Sequence, residues 1–376
     1  MKKIVFIVGA LIFLVVAGVI TVTITQTIFN KVAGDITEQI AGSLIPGASS
    51  PKIEKKPCNV PKHQREFNKQ PYYEGPLIDS HVHLPTSSSI VSSVAKQNGL
   101  ELPLMEGDIA ADRLICIFDS EGIIKTFGFH ITSQYAEGAA VATATAIEEA
   151  YPGKIVHFLM PPPVLSLNLT PSSIEGILRS NKGLFKGFGE VALYMDGYQG
   201  VMPNASQLKE IYKLADEHNL IVMVHPEDNL RDGIEEILRE FPEVTFFFHG
   251  GKHQEWLIEL MPTHKNFYYS VDADLVSLYG AKNGYKYQEF SSKEEYVTFL
   301  KGNFESVLKE ALGHWKPIIE KYPDRFTWGT DRWYAWHFDP EVGGLLEEFG
   351  RSFIGKLDPS VQEKFAYKNA EAMLGN

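Results

Sequence analysis

From Ile4 to Ile24 the chain carries no charged side chain and is almost wholly apolar, after which polar residues return. About 20 consecutive apolar residues match the hydrocarbon thickness that a helix must cross, so this run predicts a transmembrane helix within residues 1–28. Lys2 and Lys3 precede it. They would stay cytoplasmic under the positive-inside tendency, placing everything after Thr25 on the outer side of the membrane as an anchored domain. The alternative is secretion after signal-peptide cleavage, although such peptides carry an apolar core of only about 7–15 residues.

Residues 29–74 are polar and proline-bearing, with Pro46, Pro51, Pro57, Pro61 and Pro71 set among Lys52, Lys55, Lys56, Lys62 and Lys69. This composition predicts a linker, a solvated tether between anchor and domain.

From residue 75 to 376 short apolar runs alternate with amphipathic stretches, the order expected of parallel strands joined by crossover helices. Strands are predicted at 77–82, 113–118, 155–160, 185–191, 220–225, 244–249, 267–271 and 326–330. Eight strands in a span of this size predict an α/β fold of the (β/α)8 TIM-barrel type. Leu208, Ile211, Tyr212, Leu214 and Ala215 share one helical face behind Asn204 as N-cap, and Ile234, Ile237, Leu238 and Phe241 repeat the pattern. Asp358 and Pro359 open a last helix that carries Val361, Phe365 and Met373 and closes at Gly375. The long stretch from Asp272 to Tyr322, with Gly280 and Gly284, is expected to be an inserted loop over the barrel mouth.

Composition adds two constraints. The net charge of −12 disfavours nucleic acid and anionic lipid surfaces as general partners and suits a small-molecule substrate. Cys58 and Cys116 are the only cysteines, and the sequence leaves open whether they pair.

The candidate chemistry lies at strand ends. In Ile78-Asp79-Ser80-His81-Val82-His83 the two histidines stand at i and i+2, so both imidazoles face the same side of a strand and can meet one ion. His225 and His249 each finish an apolar strand, Asp331 ends the last one, and Glu190 ends the fourth. Catalytic groups of a TIM barrel come from the C-terminal strand ends. Neutral imidazoles with a carboxylate suit Zn²⁺. On its own Glu190 reads as a buried carboxylate paired with a basic group such as Arg332. His130 and His157 fall in apolar runs and read as packing residues, whereas His253 is a weaker pocket candidate. Trp328, Trp333, Tyr334 and Trp336 cluster around the last strand, as an apolar wall or as barrel packing.

The ordered set of strand-one H-x-H, strand-five His, strand-six His and strand-eight Gly329-Thr330-Asp331 resembles the amidohydrolase superfamily. The closing Lys368-Asn369-Ala370-Glu371-Ala372-Met373-Leu374 resembles its "amidohydrolase 2" branch. The resemblance spans about residue 75 to the C-terminus. It implies that His81, His83 and His225 bind the metal, Zn²⁺ or another divalent ion, that Asp331 completes the shell and handles the water proton, and that His249 acts as a nearby acid or base. Glu190 would join if a second ion is bound. The implied activity is hydrolysis of an amide, ester or lactone by metal-activated water. The alternatives are non-oxidative decarboxylation, with Arg332 or Arg113 gripping a substrate carboxylate, and a non-catalytic tethered binding barrel.

Overall fold

The structure, a computed structural model, describes residues 53, 55–67, 69–85, 109–130, 137–160, 171–194, 198, 200–227, 230–250, 254–272, 275–276, 290 and 292–375. The apolar run at 4–24 and the linker up to residue 52 lie outside the described residues. Among those described, no helix is long and apolar enough to cross a membrane.

Eight parallel strands follow one another around a single sheet: β1 (Leu77–His83), β2 (Ile123–His130), β3 (Ile155–Leu159), β4 (Phe185–Ala192), β5 (Ile221–His225), β6 (Phe246–Phe248), β7 (Phe267–Val271) and β8 (Phe326–Trp328). β1 meets the chain just beyond β8 through a parallel bridge from Val82 to Arg332, which makes the sheet a nearly closed (β/α)8 barrel. The helices are α1 (Ala111–Ser120), α2 (Glu137–Ala150), α3 (Pro171–Ser180), α4 (Ser206–His218), α5 (Arg231–Glu240), α6 (Gln254–Leu260), α7 (Lys293–Lys321), α8 (Pro340–Ile354), α9 (Pro359–Glu363) and α10 (Asn369–Met373).

Alternation along each strand divides the apolar residues into two layers. Ile78, Phe127, Phe129, Phe158, Met223 and Phe247 fill the barrel interior. Their neighbours, such as Leu77, Phe188, Val222, Phe246 and Phe248, point outward and pack under the helices. Ala370 and Met373 of α10 join the inner layer, and Asn369 Nδ2 donates to the carbonyls of Pro323 and Phe326 at the entry to β8. The final helix therefore stoppers the end of the barrel opposite the strand-end histidines.

The second strand differs from expectation. Residues 113–118 belong to α1, which buries Leu114, Ile115, Cys116, Ile117 and Phe118, and the strand is the following segment, Ile123–His130. A short unbroken apolar run does not distinguish a buried helix from a buried strand. The stretch from 272 to 322 also differs: α7 occupies 293–321, capped by Ser292, whose hydroxyl accepts from Glu295 N–H at 3.2 Å. Its Phe299, Leu300, Phe304 and Val307 are buried, so this part is a crossover helix, whereas Gly280 and Gly284 lie outside the described residues. The apolar faces predicted for α4 and α5 are the buried ones, although Ala205 takes the N-cap position and Asn204 instead donates to Glu236. Asp358 does cap α9, accepting from Ser360 N–H at 2.9 Å.

Residues 55–67 and 69–74 do not stand off as a solvated tether. A disulfide joins Cys58 to Cys116 of α1, with 5.3 Å between Cα atoms. The Glu348 carboxylate on α8 takes hydrogen bonds from the backbone N–H groups of Glu66 and Phe67 and lies 2.9 Å from His63 Nε2. Phe67 stacks on Phe304, and Arg351 donates to the carbonyls of Tyr73 and Gly75. The segment is a strap over the helical layer that leads directly into β1.

Candidate metal centre

At the C-terminal end of the barrel the strands deliver seven titratable side chains to one place: His81 and His83 from β1, Glu190 from β4, His225 from β5, His249 after β6, Asp272 after β7 and Asp331 after β8. All but His225 and Asp331 are almost fully buried, and those two are 17% and 15% exposed.

β1 sets the geometry. His81 Nδ1 lies 2.9 Å from Asp272 Oδ2, so with the carboxylate ionised the ring donates from Nδ1 and turns Nε2 inward. That nitrogen stands 3.2 Å from His83 Nε2 and 3.5 Å from Asp331 Oδ1. His83 Nε2 lies 3.2 Å from Glu190 Oε2 and 3.4 Å from Asp331 Oδ1, and its Nδ1 has no hydrogen-bond partner among the described residues.

The other half of the cluster is organised by the second oxygen of Glu190. Glu190 Oε1 is 2.9 Å from His225 Nδ1 and 2.7 Å from His249 Nε2, whose Nδ1 faces Asp272 Oδ2 at 3.4 Å. Glu190 thus joins the pair His81 and His83 to the pair His225 and His249. It does not pair with Arg332, which is buried and forked onto both oxygens of Glu121 at the end of α1.

Burial and charge set opposing tendencies here. Burial alone would raise the Glu190 carboxyl, but the His249 charge and hydrogen bonds from His225, His249 and His83 hold it well below the usual range. Burial lowers His249 but is outweighed by Glu190 and Asp272, which push it well above an ordinary histidine. His83 is lowered by burial and raised further by Asp331 and Glu190, reaching about 8. His225 falls, through burial and the neighbouring His249 charge.

A polar layer supports the cluster. Asp79 accepts from Thr330 N–H at 3.0 Å and Thr330 Oγ1 at 2.6 Å, and burial pushes it up to about 7 against the nearby Arg332 charge. Ser80 Oγ reaches Thr327, Ser270 and the carbonyl of Trp328. Asp331 N–H donates to the His81 carbonyl and His83 N–H to the Arg332 carbonyl, which pins Asp331 between the two histidines at φ 52°. Two glycines are required by space: a Cβ on Gly329 would lie 2.9 Å from Ser270 Oγ, and one on Gly250, at φ +104°, would lie 2.8 Å from His225 Nε2.

The donor chemistry fits a divalent cation. A metal-binding histidine commonly donates its other ring N–H to a carboxylate, as His81 does to Asp272. His81 Nε2 and His83 Nε2 then lie 3.8 and 3.2 Å from Glu190 Oε2 and 3.5 and 3.4 Å from Asp331 Oδ1. Within 4.8 Å of one another lie donor atoms of His81, His83 and Glu190, of Glu190, His225 and His249, and of His81, His249, Asp272 and Asp331.

A family model described as Amidohydrolase matches residues 127–375. The chain belongs to the amidohydrolase family. The matched span leaves out β1, whose two histidines the barrel nevertheless brings to Glu190 and Asp331. Among solved structures, this amidohydrolase is similar to an uncharacterised TIM-barrel protein from Bordetella bronchiseptica, at 17% identity and TM-score 0.50, over 80% of this chain and 100% of that one. It is also similar to a probable 2-pyrone-4,6-dicarboxylic acid hydrolase from Acinetobacter baumannii with citric acid bound, at 13% identity and TM-score 0.51, over 80% of this chain and 100% of that one. Both likenesses concern the fold. No curated protein sequence matches the chain.

The structure brings together all six residues singled out in the sequence, His81, His83, Glu190, His225, His249 and Asp331, and adds Asp272. Asp272 follows β7 directly, as His249 follows β6, but it had been read as the first residue of a loop. His130 and His157 lie elsewhere as a buried pair, 2.8 Å between ring nitrogens, in keeping with packing. His253 is outside the described residues. The aromatic cluster divides: Trp328 is buried against Gly350, whereas Trp333 and Tyr334 are 39% and 41% exposed beside the site.

Proposed function

We propose that this amidohydrolase is a metal-dependent hydrolase that directs an activated water at an amide, ester or lactone-like carbonyl. The observation that carries the reading is the orientation of His81 by Asp272, which turns Nε2 toward His83, Glu190 and Asp331. His81, His83, His225 and Asp331 would hold the cation, with Glu190 serving one ion or joining two. Zn²⁺ suits this imidazole and carboxylate set.

A divalent ion bound there supplies Lewis acidity toward a water and toward the substrate carbonyl. Asp331, the more exposed carboxylate, takes the proton from the attacking water as its oxygen bonds to the carbonyl carbon. His249, kept protonated between Glu190 and Asp272, gives a proton to the leaving nitrogen or oxygen as that bond breaks.

Decarboxylation is the second reading, and the arginines weigh against it. Arg332 is held by Glu121, and Arg113 is exposed on α1. A purely binding barrel has no chemical need for seven converging titratable groups. A panel of p-nitrophenyl esters and anilides, assayed after chelation and again after Zn²⁺ is restored, tests the proposal. Metal-restored hydrolysis is expected, whereas carbon dioxide release from aromatic acids with no hydrolysis would overturn it.

We further infer that the barrel stands outside the cytoplasm, tethered by the apolar run at 4–24 or released by its cleavage. The Cys58 to Cys116 disulfide supports an oxidising location. Protease digestion of intact cells is expected to remove the barrel; protection of it until lysis would reject this placement.

A further inference from the structure

Large apolar side chains left at the surface are unevenly placed in this molecule. Ile124, Tyr194, Met202, Trp333 and Tyr334 are the exposed ones among the described residues, and two of them touch the metal centre. Trp333 sets its ring edge-on to His83, with centroids 4.3 Å apart at 72°. Tyr194 sets its ring against His225, 4.4 Å apart at 58°. Each ring is 39% exposed, so each backs onto a ligand imidazole and keeps surface open.

The two histidines bind different oxygens of the same carboxylate: His225 faces Glu190 Oε1 and His83 faces Glu190 Oε2. Tyr194 and Trp333 each stand against an imidazole that faces the Glu190 carboxylate. Neither ring hangs on loose backbone. Trp333 N–H donates to His337 Nδ1 at 3.0 Å, and Leu193 N–H donates to the His225 carbonyl at 3.0 Å. Rings held in place before a ligand arrives lose little freedom on binding it.

Resting on the hydrolase reading above, we propose that Tyr194 and Trp333 are the walls of a slot for an uncharged aromatic acyl group, whose carbonyl is presented to the ligand cluster. Flat rings pair with aromatic faces through offset or edge-on contacts that an aliphatic group does not reproduce. Charge sets the other half of the preference. Arg332, the arginine next to Asp331, is forked onto Glu121, so its guanidinium is not offered to a carboxylate on the substrate.

The test measures dissociation constants of the full chain for benzamide, cyclohexanecarboxamide, acetamide and benzoate by ligand-observed NMR, with bound metal determined on each preparation. Benzamide is expected to bind about tenfold or more tightly than the other three. Trp333→Ala and Tyr194→Ala are each expected to reduce that preference by about fivefold, while Trp333→Phe retains it and metal content stays at the parental level. Equal affinity for all four probes, or a preference untouched in both alanine variants, overturns the slot. The two readings separate cleanly. A benzamide preference in protein that neither takes up metal nor hydrolyses esters supports the slot and rejects the hydrolase, whereas metal-dependent hydrolysis without the preference rejects the slot alone.

Discussion

His81 and Asp272 are 191 positions apart in sequence, and the barrel sets His81 Nδ1 2.9 Å from Asp272 Oδ2. This hydrogen bond decides which ring nitrogen of His81 faces the cluster. Asp272→Asn removes the charge that favours an Nδ1 donor and lets the ring turn or change tautomer. Metal affinity is expected to fall about 10- to 100-fold, a typical cost of losing such a partner, measurable by competition with a chelating dye. Unchanged affinity would show that His81 needs no orienting carboxylate.

His249 faces Glu190 with one nitrogen and Asp272 with the other. Its expected task is proton transfer, so His249→Gln should lower turnover by about 10²- to 10⁴-fold while bound metal stays close to the parental amount. Parallel loss of metal and turnover would make it a ligand instead. Elemental analysis alongside kcat separates the two.

Arg332 and Glu121 form a fully buried pair, and Arg332 directly follows Asp331. Removing one partner strands the other charge. Glu121→Gln is expected to cost about 3–5 kcal/mol in urea unfolding. A cost below about 1 kcal/mol would mean that water or another group takes over the guanidinium.

The pair His130 and His157 sets a pH dependence. Burial lowers His130 to about 3, and burial with the His130 charge lowers His157 well below 6.5. The unfolded chain binds these protons near pH 6.5 and the folded chain does not, so stability is full above that pH and falls as pH drops toward about 3. Each group contributes a slope of about 1.4 kcal/mol per pH unit within the window. His157→Gln should flatten the loss between pH 6 and 4.5 by about one group's slope. An unchanged slope in urea melts would mean that the pair is protonated in the folded state.

Cys58 and Cys116 close a loop of 58 positions between strap and α1. Chain-entropy reasoning puts the stabilisation at roughly 4 kcal/mol. The Cys58→Ser, Cys116→Ser variant is expected to lose about that much, and equal melting of reduced and oxidised protein would contradict it.

Seven of the eight strands were legible because their alternation or apolar run ended at a polar residue. β2 was not, since Leu114 to Phe118 is as apolar as a strand and only its packing as a helix distinguishes it. The convergence of His81, His83, Glu190, His225, His249 and Asp331 was legible from their strand-end positions. Asp272 was obscured because the residues after it read as a loop, and its role exists only through contact with His81 across the barrel. The engagement of Arg332 was equally invisible: its partner Glu121 sits at the end of a helix read as a strand. The strap was misread because lysines and prolines signal solvation, while its attachment depends on Cys58, Phe67 and a buried Glu348 that are far apart in sequence.

On the proposed function the strand ends hold a catalytic cation. Elemental analysis of the purified full chain, set beside His81→Ala and Asp331→Asn, tests it most directly. One or two equivalents of zinc in the parent, lost or strongly reduced in both variants, is the predicted result. A parent that takes up no divalent metal after reconstitution, or variants that keep the full amount, would contradict the account.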